Sequence, residues 1–83
     1  MSTFNLEIIT PHKIVVKQEV AKIIARTTEG DMGVLAGHAP LVAELAIGEM
    51  KIEKDDKNID YYFISGGFLE ISKQKVLILA DKA

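Results

Sequence analysis

The chain has 83 residues, with ten Lys and Arg against twelve Asp and Glu and a net charge of −2. That length suits one domain, spanning 1–83, with a thin stability margin. The basic residues are scattered, so the electrostatic footprint of a nucleic-acid binder is missing. There is no cysteine and there are two histidines, His12 and His38, which argues against disulfides and a structural zinc site. Hydrophobic residues, at 48%, suffice for one core.

The longest apolar runs, Ile14–Val16 and Val76–Ala80, fall far short of the about 20 residues of a spanning helix. The opening MSTFNLEI lacks the basic region and apolar stretch of a secretory leader, so the default expectation is a cytoplasmic chain. Hydropathy mostly repeats every two residues, the mark of strands. Leu6 and Ile8 share one face. A turn at Thr10-Pro11-His12-Lys13 leads into a strand at Ile14–Val20. Across Ala21–Thr27, Ala21, Ile23 and Ala25 oppose Lys22, Ile24 and Arg26. The segment Ala39–Ile47 fits two readings. Leu41, Val42, Leu45 and Ala46 have helical spacing behind Pro40, yet a strand fits equally well. Gly48 precedes a clear strand at Glu49–Lys54, with Met50 and Ile52 inward. Asp55–Asn58 is a polar turn. Ile59–Ser65 is rich in the aromatic and β-branched residues of strands. Gly66-Gly67 marks a bulge or tight corner. In Phe68–Ser72, Leu69 and Ile71 alternate with Phe68, which falls on the polar-facing register as a patch residue or one covered by another segment. Lys73-Gln74 turns the chain into Lys75–Asp81. Turns every 8–12 residues or so favour a sandwich or barrel over βαβ units.

Unusual chemistry concentrates in TEGDMGVLAGHAP, Thr28–Pro40. Its glycines, Gly30, Gly33 and Gly37, lack the spacing of a dinucleotide fingerprint and the lysine of a phosphate loop. Glu29, Asp31 and His38 are candidates for acid–base work, but glycine-flanked acids at a loop tip are the opposite of a desolvated cleft. Ser65 before two glycines is not a nucleophile elbow. The plain reading makes Glu29 and Asp31 solvated turn residues and His38 a ring bonded to nearby backbone. Met32, an apolar side chain at the tip, suggests a contact site.

Three blocks, EGDMGVLAGHAPLV, ISGGFLEI and VLILADKA, together with the opening LEIITPHKIVVKQEV, resemble the N-terminal domain of the epsilon subunit of F-type ATP synthases (delta in mitochondria). The likeness covers essentially the whole chain in order. It implies an all-β, two-sheet β-sandwich of about ten short strands, so Ala39–Ile47 should be extended. It implies a non-catalytic rotor subunit without cofactors, peripheral at the cytoplasmic face of the bacterial inner membrane and not inserted in it. Its partners would be the gamma subunit and the ring of c subunits. By resemblance, Glu29, Gly30, Asp31, Met32 and Gly33 form the tip that touches the c-ring, while Thr10, His38, Ala39, Pro40 and Ala43 face gamma.

The chain departs from the family pattern at Asp31 (usually glutamate), Met32 (often leucine), Ala36 (usually proline) and Lys82 (often threonine). The family's C-terminal helical hairpin is absent from these residues, and with it any expectation of inhibition or ATP binding. Two other expectations compete: a free-standing β-sandwich adaptor, and a small ligand-binding domain in which Glu29, Asp31 and His38 converge.

Overall fold

In the computed structural model, residues 2–73 and 75–82 are described. They form nine strands and no helix: β1 (Phe4–Ile9), β2 (Ile14–Val20), β3 (Lys22–Thr27), β4 (Gly30–Leu35), β5 (Leu41–Leu45), β6 (Gly48–Glu53), β7 (Ile59–Ile64), β8 (Gly67–Ser72) and β9 (Lys75–Ala80). Gln74, expected in a turn, lies outside the described residues.

The strands hydrogen-bond in the order β2-β1-β9-β8-β5-β3-β6-β7, and β4 pairs with β3. The path is continuous but bends sharply between β5 and β3, which meet only where Thr27 faces Leu45. Two layers result, β2-β1-β9-β8-β5 and β4-β3-β6-β7. They close over one apolar cluster to which all nine strands contribute, with Leu6, Ile8, Ile23, Met50, Ile52, Leu69 and Ile78 among its most enclosed members. All pairings are antiparallel except β1 with β9, which run parallel from Asn5 opposite Lys75 to Ile9 opposite Leu79.

Period-two alternation translates directly into burial in β1, β6 and β8. Two segments turn on long-range pairing instead. β5 is extended because each of its five residues pairs with β8, from Leu41 opposite Ile71 to Leu45 opposite Gly67. Val42, which helical spacing would bury, is 64% exposed, and Leu41 and Leu45 point inward. The ladder satisfies backbone groups that a five-residue helix would leave open at both ends. β4 occupies most of what reads in the sequence as an acidic loop. It pairs with β3 from Lys22 opposite Leu35 to Thr27 opposite Gly30, leaving a two-residue turn at Thr28-Glu29. The Thr27 hydroxyl closes this turn. It donates to the Gly30 carbonyl at 2.7 Å and accepts from the Glu29 N–H at 3.2 Å. Gly30 takes φ +115°, open to glycine and costly for other residues.

The turn at Asp55–Asn58 is an Asx turn: one Asp55 carboxylate oxygen accepts from the N–H groups of Lys57 (2.8 Å) and Asn58 (2.9 Å). Hydrogen bonds from the Asn58 side chain and the Lys57 backbone hold that carboxyl below the usual aspartate range. Between β1 and β2, the Thr10 hydroxyl accepts from the N–H groups of His12 and Lys13.

Gly67 opens β8 at φ +127°. A Cβ there would run into the Leu79 carbonyl oxygen on β9. Only a residue without a side chain lets the two backbones approach this closely. Replacing Gly67 with Ala therefore combines backbone strain with a main-chain clash. It lowers stability by about 2 kcal/mol or more, measurable as a drop in thermal midpoint by circular dichroism.

Lys75 Nζ reaches Glu7 Oε2 at 2.6 Å across the parallel β1–β9 pair, and the Glu7 side chain is only 15% exposed. The Lys75 hydrogen bond holds the Glu7 carboxyl below the usual glutamate range, against partial burial, with smaller help from the charge of Lys17. A depressed carboxylate stabilises the fold fully above its unfolded value of about 4.3 and loses that contribution as pH falls through its folded value. The difference in urea midpoint between the parent chain and Glu7→Gln is thus expected to be largest near neutral pH and to vanish in acid below that window.

Candidate subunit-binding surfaces

The residues expected at the c-ring all lie on the β3–β4 hairpin. Glu29, in the turn, and Asp31, on the outer face of β4, are exposed. Asp31 stands opposite Arg26 and its Oδ1 accepts from Arg26 Nε at 3.5 Å. Met32 corrects the reading of an exposed apolar tip. It points inward on β4, half-buried against the core cluster. The free apolar side chain on this strand is Leu35, at 58% exposure.

The residues expected at gamma spread along the β2-β1-β9-β8-β5 layer. Thr10 lines an open cleft of about 500 Å³ together with Pro11, Glu44, Phe68, Leu79 and Asp81. His38 lies at the other end of the strands, near Phe4, Ser72 and Lys75. Its Nδ1 is 2.8 Å from the Ala39 carbonyl oxygen, so the ring is bonded to local backbone. Ala39 and Pro40 are exposed in the β4–β5 connection, and Ala43 is half-buried in β5.

Members of the two expected sets also share grooves. Glu29 and Ala43 line one groove with Leu41 and Glu44, and Gly33 and His38 line another with Lys22 and Ala36. Glu29, Asp31 and His38 do not assemble as a catalytic group: Asp31 engages Arg26, while Glu29 and His38 line different grooves. Among the described residues, no group of three or more His, Asp or Glu could hold a metal ion.

Sequence reasoning missed the broader surfaces. On the outer face of the first layer the register sets Glu44, Phe68, Leu79 and Ile9 in a row across β5, β8, β9 and β1, continued by Ile14 on β2. Phe68, Leu79 and Ile14 are each about half exposed. The outer face of the second layer carries Ile59, Tyr61 and Phe63 on β7, opposite Glu53, Lys51 and Glu49 on β6. The signal was present as apolar residues on the off-beat of alternating strands. Phe68 alone was singled out, because the others sit in runs such as VLILA and IDYYFIS that also read as doubly buried strands. Contiguous exposed apolar side chains rimmed by charge are the composition of a protein-binding surface.

Residues 3–83 match the family described as ATP synthase, delta/epsilon chain, beta-sandwich domain. The ATP synthase epsilon chain, sodium ion specific, of Propionigenium modestum is 60% identical over 83 residues, covering 100% of this chain and 60% of that protein. The ATP synthase epsilon chain of Moorella thermoacetica is 42% identical over 83 residues, covering 62% of its length. The chain therefore spans about 60% of the length of these curated relatives. A chain from the cryo-EM structure of the Euglena gracilis mitochondrial ATP synthase (OSCP/F1/c-ring, rotational state 1) superposes with a TM-score of 0.92 at 34% identity, covering 99% of this chain and 52% of that one. A chain from the central stalk/c-ring structure of the Tetrahymena thermophila mitochondrial enzyme shares the fold, with a TM-score of 0.77 at 20% identity over 92% of this chain and 61% of its own. A nine-stranded sandwich with apolar outer faces, matched over nearly its whole length, places the chain in the ATP synthase delta/epsilon family as its β-sandwich domain.

Proposed function

We propose that this domain is a non-catalytic part of the rotor of an F-type ATP synthase, peripheral at the cytoplasmic face of a bacterial membrane, where it joins the gamma subunit to the ring of c subunits. The observation that carries this reading is the family match over residues 3–83, together with the close superposition on a chain of an F1/c-ring assembly. In this role the sandwich acts as a spacer under load. One continuous core packed from all nine strands resists deformation, so a force applied at the hairpin reaches the far face.

The outer row Phe68–Leu79–Ile9–Ile14 supplies the apolar area for a lasting contact with gamma, with Thr10 beside it and His38–Pro40 beyond the far end of the strands. Ala43 lies on the other face of β5, in the groove next to Glu29. The β3–β4 hairpin supplies exposed carboxylates, Glu29 and Asp31, for the polar loops of the c-ring. Such rim charges govern orientation and encounter more than affinity. Met32 backs the hairpin from inside, and Gly33, on the face of Asp31 and Leu35, keeps its outer side low.

Two measurements test the two contacts. In vesicles holding the complete synthase, Glu29→Lys with Asp31→Lys lowers the membrane potential generated per ATP hydrolysed. A ratio equal to that of the parent enzyme removes the c-ring assignment. Met32 is left unchanged because a lysine there would be driven against the core. Phe68→Arg, on the exposed outer face, blocks co-purification with gamma while the domain's circular dichroism melt stays within a few degrees of the parent. Undiminished co-purification removes the gamma assignment of that face.

A further inference from the structure

Arg26 lies flat over Gly48. An added Cβ at Gly48 would come within 2.7 Å of Arg26 Cδ and 3.1 Å of its Nε, and Gly48 is buried although it has no side chain of its own. The backbone there has no positive φ, so no strain calls for glycine at this position. What it provides is room for Arg26. From this bed the guanidinium reaches across the hairpin to Asp31 at 3.5 Å. The two side chains are 54% and 63% exposed, so their attraction adds little stability. Its consequence is geometric: a carboxylate on a free rotamer becomes one held at the outer face of β4, beside the turn that carries Glu29.

We propose that Arg26, seated on Gly48, is a positioning residue that holds the Asp31 carboxylate in place for docking of the β3–β4 hairpin on its partner. This rests on the hairpin contact proposed above and adds a residue on β3 that the contact set did not include. It also makes the hairpin's outer face a cation–anion pair with an acidic turn at one end. The complementary partner loop carries a basic side chain for Asp31 and Glu29 and keeps other cations away from Arg26.

The test uses the complete synthase in vesicles, with a potential-sensitive dye and ATP hydrolysis read together. Arg26→Ala and Gly48→Ala are each expected to lower the potential generated per ATP by about two- to fivefold, the range set by loss of one exposed charge pair. The double variant falls no further, because both changes remove the same contact. The swap Arg26→Asp with Asp31→Arg restores an ion pair but moves the carboxylate to β3, and the ratio stays low. A merely stabilising pair would instead be rescued by the swap, which overturns the proposal. Unchanged ratios in Arg26→Ala and Gly48→Ala, with a lowered ratio in Asp31→Lys, also overturn it while leaving the hairpin contact standing. Unchanged ratios in all variants overturn both. If Gly48→Ala does not assemble, Arg26→Ala and the swap carry the same test.

Discussion

The architecture depends on how one edge of β3 is shared. Along Lys22–Ile24 that edge pairs with β6, and at Thr27 it pairs with β5. The end of β5 and the residue after it are held there by main-chain bonds: Thr28 N–H donates to the Glu44 carbonyl at 3.0 Å, and Ala46 N–H donates to the Arg26 carbonyl at 3.0 Å. A strand edge divided between two partners cannot lie in one plane with both. The sheet must fold over itself at this point, which brings the inner faces of the two layers together. Thr27, the buried polar side chain at the corner, spends its hydroxyl on the adjoining turn. The corner and the exposed hairpin are therefore one piece of structure.

That continuity fits the load-bearing role proposed for the domain. Within the first layer, the parallel β1–β9 pair joins the first and last strands and is buttressed by Lys75 and Glu7. No layer can be peeled off without opening the common core. The molecule measures 31 × 23 × 20 Å along its principal axes. A body of this size has one interior, enclosed by the inner faces of the two layers, and β6 shows that an outer face here can be wholly charged, with Glu49, Lys51 and Glu53. Apolar residues on both sides of β7, β8 and β9 leave Phe63, Phe68 and Leu79 exposed.

Much of the strand layout was legible in the residues. The burial of Leu6 and Ile8, Met50 and Ile52, and Leu69 and Ile71 follows from alternation alone, because a side chain two positions along a strand returns to the same face. The Asp55–Asn58 turn and the glycine corner before β8 follow from local backbone chemistry. β4 was hidden because glycines and acids have weak strand propensity, and it exists through its ladder with β3. The exposed state of Phe68, Leu79 and Tyr61 could not be read from hydropathy, since an apolar residue looks the same whether a second layer covers it or not.

By itself the sequence determined a mainly β pattern with most of the strands in place, β4 excepted, and its three motif blocks pointed to the ATP synthase family. Those are properties of local periodicity and of residue order. Local spacing left Ala39–Ile47 open and the family resemblance made it extended; the tertiary structure shows the strand as Leu41–Leu45, and it alone decided that Met32 turns inward and that Arg26 rests on Gly48 against Asp31. Each depends on pairing between segments distant in the chain or facing across a hairpin. Register is a relation between two strands, and one strand's residues do not contain it.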